Sequence, residues 1–389
     1  MTVLAITLVG FFLCLLYERI TLNRLRSSIP LVICVTGTRG KSSVVRLIAS
    51  VLRESGRRVL AKTTGSQAQY VMPDGSILDV PRRGGVSILE QKKALRKAAS
   101  LRVECFVVEV MSVQRENHAV ESQKILKPDV VLLTNVRPDH IDAMGETEAD
   151  VANVLALDLI PGSKVFLPEE CRRLFEKSGA QRCVIRPVPA RTDVPDPVVE
   201  KLNLFGKKVM MPNLRIVATA ARDMGVTDDV IRRGIENAVQ DIGAFRVWRY
   251  RMGGKSFYVV NAFAANDPIS TFELFESARE VFASETSSFT GLLALRSDRG
   301  DRTIQWMNAL REGAAGWFDQ LVVVGGHARA LARKLKNTVA VSEAAPEKIM
   351  SSVGMLIPER GVLFGFGNIG GPGALLVDHW RLSGEEYGI

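Results

Sequence analysis

The apolar positions of this chain follow two patterns. The first is a single run: Val3 to Leu16 contains no charged residue, and Tyr17, Glu18 and Arg19 close it. Counted from Met1, some 17 residues at about 1.5 Å each give roughly 25 Å of helix, the short end of what crosses a hydrocarbon core of about 30 Å. No basic residue precedes the run and no small-x-small site stands ahead of Glu18, so it does not read as a cleaved signal peptide. Cys14 follows Phe12 and Leu13, which are too bulky for a lipoprotein site. Arg19, Arg24 and Arg26 come after the run, and basic flanks stay cytoplasmic. The pattern predicts a single-pass anchor over 1–18 in the cytoplasmic (inner) membrane, with the rest of the chain in the cytoplasm. A buried N-terminal helix is the alternative.

From Leu31 onwards short β-rich runs alternate with helical periods. A strand ending at Val35 is followed by a helix over Val44 to Glu54, and Arg58 to Lys62 reads as a second strand. Ser87-Ile88-Leu89-Glu90 matches a capping box and predicts a helix to about Ser100. Next come a strand over Glu104 to Val110, a helix over Glu116 to Leu126 and a strand over Asp129 to Asn135. A helix over Thr147 to Leu159 stops at Pro161-Gly162, and strands near Val165 and Val184 continue the alternation. This order predicts an α/β fold, a parallel sheet with helices on both faces. Residues 187–197 are proline-rich and read as a loop; Asn213 to Gly225 and Thr227 to Ala238 read as a helix pair. Asp241-Ile242-Gly243-Ala244 reads as a boundary, followed by a hairpin through Gly253-Gly254 and strands near Leu292, Val322 and Val362. The expected organisation is an anchor, a central P-loop domain over 30–245 and a smaller Rossmann-like α/β domain over 246–389.

The junction of the first strand and its helix carries the clearest chemistry. It reads Thr36-Gly37-Thr38-Arg39-Gly40-Lys41-Ser42-Ser43, a phosphate loop in the required strand–loop–helix context. Gly37 and Gly40 permit the tight turns that point successive N–H groups into one cavity, and the following helix dipole favours the same negative charge. Lys41 is placed to reach the outer phosphates and Ser42 to ligate Mg²⁺. The first glycine of G-x-x-x-x-G-K-[ST] is missing, because Val35 occupies its position.

Bulk properties add little to this. The 389 residues carry 51 basic and 42 acidic side chains, a net charge of +9, which suits anionic ligands or a phospholipid surface as well as a plain solvated surface. Aromatic content is only 6% and no helix-turn-helix or zinc spacing is present, so nothing points to nucleic acid. Five cysteines, with no C-x-x-C pair, fit a reducing compartment.

In a doubly wound sheet ligands bind at the carboxyl ends of the strands. Glu109 ends one strand, where its carboxylate is expected to hold Mg²⁺ opposite Ser42. The loop Thr134-Asn135-Val136-Arg137-Pro138-Asp139-His140-Ile141-Asp142 follows another, and places His140 as a metal or phosphate group. In the second domain Asn266-Asp267-Pro268 and Leu295-Arg296-Ser297-Asp298-Arg299 end strands, and Gly365 to Pro372 is a glycine-rich loop.

Together these residues resemble the Mur ligase superfamily of ATP-dependent amide ligases. The phosphate loop, Glu109, Thr134-Asn135 with Asp139-His140-x-Asp142, Asn213, Arg246, Asn266-Asp267-Pro268 and Arg296-x-Asp298 fall in that family's order. Within it the chain is more similar to the catalytic subunits of poly-γ-glutamate synthases, through the apolar N-terminus followed at once by the loop and through TRGKSS, AKTTGS, NVRPDHIDAMG, NAFAANDP and FGFGNIGG. One feature departs from the Mur pattern: Ala143 to Ser163 contains no lysine, where Mur ligases carry a carbamylated one for a second Mg²⁺, and Leu155 and Ala156 stand near that place.

The resemblance implies polymerisation of glutamate through γ-carboxyl amide bonds, driven by ATP through an acyl phosphate, with ADP and phosphate released. It implies ATP and Mg²⁺ as cofactors; Lys41 on the outer phosphates; Ser42, Glu109 and His140 as metal ligands. Thr36 to Ser43, Asn135, Arg246, Asn266 and Asp267 become nucleotide contacts, and Arg296 and Asp298 orienting groups. Expected partners are glutamate, the growing polymer and small membrane subunits of a capsule synthase and export complex; a homo-oligomer is compatible with it. The readings left open are a cytosolic Mur or folylpolyglutamate type and a P-loop ATPase that energises export without ligating anything.

Overall fold

Alternate residues of the β-rich runs face opposite sides of two sheets, and both sides are covered. The computed structural model describes residues 2–65, 68–82, 86–138, 140–176, 182–195, 204–239, 243, 245–265, 267–286, 288–342 and 345–387. The chain divides into two compact units, Met1–Val199 with Met211–Val239, and Glu200–Met210 with Gln240–Ile389. Ser66, Asp139, Asn266 and most of the expected boundary at 241–244 lie outside the described residues.

The first unit holds strands β1 (Leu31–Thr36), β2 (Val59–Thr63), β3 (Gln69–Val71), β4 (Ile77–Asp79), β5 (Cys105–Glu109), β6 (Val130–Leu133), β7 (Lys164–Pro168) and β8 (Val184–Val188). Their order in the sheet is β4-β3-β2-β5-β1-β6-β7-β8. β2 to β8 pair parallel through β5, β1, β6 and β7, whereas β3 and β4 extend the β2 edge antiparallel. β1 lies between β5 and β6, so Thr36, Glu109 and Thr134 emerge side by side at one sheet edge. Val32, Cys34, Leu60, Phe106 and Val108 pack on one face with helix Glu90–Ser100. Helix Lys41–Glu54, with Val44, Val45, Ile48, Val51 and Leu52 fully buried, also buries Arg46 and Ser50 on its polar side. Helix Asp228–Glu236 packs on it: a Cβ at Gly234 would come within 2.4 Å of Val51 Cα.

The second unit has the order β13-β12-β11-β14-β10-β9-β15, with β9 (Arg246–Met252), β10 (Lys255–Asn261), β11 (Phe289–Leu295), β12 (Gln320–Gly325), β13 (Thr338–Val341), β14 (Val362–Gly367) and β15 (Glu385–Glu386). β9–β10 is the expected hairpin and β9–β15 is also antiparallel; the other pairs are parallel. Period 2 divides its core: Val260, Leu293, Val323 and Phe364 on one side, Val259, Leu292, Val322 and Leu363 on the other.

Four local expectations change. The apolar helix runs from Thr2 to Ser27 rather than to 18, because its last turns dock on the first unit. Leu22 is buried there, and Arg26 donates to the carbonyls of Leu126 and Lys127 and to Asp129 (2.6 Å). The capping box at 87–90 does not form: the helix begins at Glu90 with Leu89 as an N-cap that makes no side-chain bond. Glu90 pairs instead with Arg82 (2.7 Å) and with the buried Lys62 (3.5 Å), whose charge needs a partner more than the helix end does. The helix expected over 116–126 starts at Arg115 and widens into a π-type turn over Glu121–Leu126, which buries both Glu121 and Ser122. The helix expected from Asn213 already begins at Leu204 and carries Pro212 within it.

Candidate functional site

The loop after β1 is built around two glycines at positive φ, where a side chain is strained. Gly37 has φ +120°, and a Cβ there would lie 2.3 Å from Thr134 Oγ1 and 3.0 Å from backbone atoms of Thr134 and Asn135. Gly40, at φ +80°, precedes helix Lys41–Glu54, and its Cβ would stand 2.7 Å from Asn213 Nδ2. Val35, which replaces the usual first glycine, is still in β1, paired with Glu109 and Leu132. The turn therefore starts at Gly37, two positions beyond the first glycine of the usual motif.

Asn135 clamps this loop. Its Oδ1 accepts from Thr38 Oγ1 (2.6 Å) and the Arg39 N–H (3.1 Å), and its Nδ2 donates to the Arg39 carbonyl (3.0 Å). Lys41 Nζ donates to the carbonyls of Gly37 (2.8 Å) and Thr38 (3.4 Å), bonds it has to exchange for phosphate oxygens when an anion enters. Thr36 and Thr38 are buried, while Arg39, Lys41, Ser42 and Ser43 are half-buried.

Glu109 ends β5 beside the loop and is buried. Its Oε2 accepts from Ser42 Oγ (2.8 Å) and from the Thr64 N–H (2.7 Å). Gly65 completes the contact: a Cβ there would be 2.4 Å from Ser42 Oγ. A hydroxyl and a carboxylate at a helix N-terminus are hard oxygen donors of the kind Mg²⁺ takes together with phosphate and water. Among the described residues no group of three or more His, Cys, Asp and Glu could enclose a metal. The chain thus fits a partial cation site, with the pair Ser42 and Glu109 as its share. His140, in the left-handed region at φ +48°, is exposed and lines the same cavity of about 150 Å³, together with Gly37, Lys41, Glu109, His118 and Leu155. Leu155, near the place of the absent lysine, puts an apolar wall there.

A buried polar cluster beneath the loop escaped sequence reasoning. Asp158 faces His118 Nδ1 (3.0 and 3.1 Å to its two oxygens) and accepts from Thr36 Oγ1 (2.5 Å) and Ser122 Oγ (2.6 Å). Next to it Glu121 accepts from Gln91 Nε2 (2.6 Å), from the N–H groups of Met111 and Ser112, and from the Ser112 hydroxyl. Burial works against a charged His118, but Asp158, with Glu121 beyond it, outweighs burial and holds the imidazolium above its ordinary range; Lys41 opposes. Burial likewise pushes Glu121 up, against its hydrogen bonds. The available signal was an aspartate inside the apolar stretch Leu155 to Ile160 and one of only four histidines inside a helical period.

The remaining candidates belong to the second unit. Arg296 and Asp298, after β11, form a two-bond pair with each other (2.9 and 2.6 Å), the arginine half-buried and the aspartate exposed. Neighbouring strand ends close around them through glycine: Cβ atoms would stand 2.6 Å from Arg296 Nη1 at Gly370 and 2.5 Å from Ser297 N at Gly326. Arg246 lies 3.5 Å from Glu386, and Asp267 caps helix Pro268–Phe282 by accepting from the Ser270 N–H (2.9 Å).

A phosphate loop on a parallel sheet, followed by a second α/β unit, defines the Mur ligase type of fold, and residues 35–157 match the family model of the Mur ligase middle domain. The fold is shared with the bifunctional folylpolyglutamate synthase/dihydrofolate synthase of Yersinia pestis complexed with AMPPNP and Mn ion. That likeness has a TM-score of 0.67 at 16% identity and covers 94% of this chain and 91% of that one. Residues 247–382 match the poly-gamma-glutamate synthase CapB C-terminal domain. Along its length the chain is 29% identical over 363 residues to the capsule biosynthesis protein CapB of Bacillus anthracis, covering 90% of this chain and 76% of that protein. It is 28% identical over 284 residues to the PGA synthase CapB of Bacillus subtilis, covering 72% and 71%. The chain is a relative of the CapB proteins, with a Mur ligase middle domain joined to a CapB C-terminal domain.

Proposed function

We propose that this protein is an ATP-dependent amide ligase that polymerises glutamate through γ-carboxyl amide bonds. The observation that carries this reading is the phosphate loop, with Ser42 and Glu109 in contact, in a chain that goes on into a match to the CapB C-terminal domain. ATP phosphorylates a glutamate γ-carboxylate, the amine of a second glutamate attacks the acyl phosphate, and phosphate leaves as the amide forms. The chain supplies position and charge rather than a covalent intermediate. Loop N–H groups and Lys41 hold the outer phosphates; Asn135 keeps the loop in shape. Ser42 and Glu109, with His140 at the cavity wall, would hold a divalent cation, Mg²⁺ in our reading, which when bound neutralises phosphate charge. Arg246, Asp267, Arg296 and Asp298 are assigned to the nucleotide and the reacting groups from the second unit; Asn266, outside the described residues, is assigned with them.

Helix Thr2–Ser27 supports a membrane location. Its 26 residues give roughly 39 Å, and its most apolar window is not buried in the protein. Anchored there, the enzyme hands a polyanion to small membrane partner subunits.

The test is ADP release and labelled-glutamate incorporation in membranes holding the full chain and its genomic neighbours, with wild type beside Lys41→Ala. Glutamate-dependent ADP and polymer, both reduced at least roughly 10²-fold in the variant, are expected. ADP release indifferent to glutamate, without polymer, would replace the ligase by a transport ATPase.

A further inference from the structure

The ligase reading leaves His118 and Asp158 without a task, although His118 lines its phosphate cavity and Asp158 is bonded to it from behind. His118 is 2% exposed, and its ring lines the cavity with Lys41, Glu109 and His140. Asp158 receives hydroxyl donors from Thr36 and Ser122, so it meets His118 as an acceptor, and Nδ1 carries the proton between them. The other ring nitrogen, Nε2, is buried and has no hydrogen-bond partner. Histidines oriented by a carboxylate through one nitrogen commonly present the other to a ligand.

We infer that His118 Nε2, as the N–H of an imidazolium fixed by Asp158, donates to an oxygen of the terminal phosphoryl group in this cavity. The inference rests on the nucleotide reading of the loop. The cavity, at about 150 Å³, is smaller than the ~300–1,000 Å³ of pockets that enclose a whole ligand, which suits a phosphoryl group at its inner end. The charged and titratable groups facing the ring are Asp158 from the turn before Leu159, Glu121 from the π-type turn, Lys41 from the loop helix, and Glu109 and His140 on the cavity walls. The two buried acids favour a cation on the ring, and an incoming phosphate adds to that preference. Lys41, now bonded to loop carbonyls, and His118 then grip the terminal phosphate from two sides.

The test compares ADP with the non-hydrolysable triphosphate AMPPNP, each with Mg²⁺, by calorimetric binding to the full chain in detergent between about pH 6 and about pH 8. In the wild type, affinity for AMPPNP is expected to fall more steeply with rising pH than affinity for ADP. In His118→Gln, AMPPNP affinity at the acidic end drops roughly tenfold or more while ADP affinity stays, and the difference in slope disappears. Asp158→Asn moves that slope to lower pH. Undiminished AMPPNP affinity and slope in His118→Gln, or equal losses for both nucleotides, would overturn the inference. The wild type supplies a variant-free measurement: the His118 Nε2 nitrogen resonance must shift more with AMPPNP than with ADP, and no difference overturns it too. Lys41→Ala binding both nucleotides as well as wild type would instead overturn the reading of the loop itself.

Discussion

Two glycines in the first unit separate backbone strain from site geometry. Gly37 (φ +120°) and Gly56 (φ +85°) both sit where an L-residue is strained, so alanine at either costs roughly 1–2 kcal/mol in the backbone alone. At Gly56 nothing lies within 4 Å of the new Cβ, and strain is the whole cost. At Gly37 the new Cβ would lie 2.3 Å from Thr134 Oγ1 and 3.0 Å from two backbone atoms, whereas ordinary contact begins near 3.4 Å. Thr134 is buried and its hydroxyl is held on the Thr36 carbonyl (3.3 Å), so rotation relieves little of the shortfall and the loop has to move by about 1 Å. A displacement of that size at a phosphate site costs on the order of 10² in rate. Gly56→Ala should therefore lower the melting temperature by a few degrees and leave glutamate-dependent ADP release near wild type. Gly37→Ala should melt at least as early and lose about 10²-fold in turnover. If Gly37→Ala kept more than about a tenth of wild-type turnover, the claim that this loop's shape carries the chemistry would fail.

Three further outcomes are expected. Glu109→Gln keeps an acceptor for Ser42 and Thr64 but loses the charge, so the Mg²⁺ concentration for half-maximal ADP release should rise on the order of tenfold; an unchanged metal titration would remove Glu109 from the cation site. Glu90→Gln leaves the fully buried Lys62 without its counter-charge and should cost about 3 kcal/mol in thermal unfolding, whereas Lys62→Met should cost much less; the reverse order would refute a paired charge there. In the second unit, hydrogen bonds from Tyr258 and Tyr387 hold Glu285 below the ordinary carboxylate range. A depressed carboxylate contributes stability that is full above its unfolded value of about 4.3 and is lost as pH falls through the folded value. Glu285→Gln should then melt earlier than wild type near neutral pH and match it in strong acid, and a pH-independent difference would exclude the linkage.

Much of the frame could be read along the chain because it depends on short-range physics. Strand–loop–helix order, the hairpin through Gly253-Gly254 and the unbroken apolar run at the N-terminus each show in windows of a dozen residues or so. The chemical types at the sheet edge were legible for the same reason, since Lys41, Ser42 and Glu109 follow directly from strand ends. Local rules failed where a distant charge competed. Ser87 and Glu90 spell a capping box, yet Glu90 turns to Lys62 and Arg82. The apolar run ends near 18 but the helix goes on to Ser27, because the surface that receives Leu22 and Arg26 comes from residues about a hundred positions later.

The site's second layer belongs wholly to the tertiary structure. Asn135 reads as a nucleotide contact by position, but both ends of its amide hold the loop. Asn213 approaches Gly40 only because its helix packs back on the first unit. Thr36 and Asp158 are 122 residues apart and His118 and Asp158 are 40 apart, so no local period links them. Sheet order does: with β1 between β5 and β6, the segments that leave those strands converge beneath one loop. Composition and periodicity can place a residue on an element and at a strand end, because those properties are local. Which buried acid meets which histidine depends on how elements far apart in sequence cross, and that is decided only when the core closes.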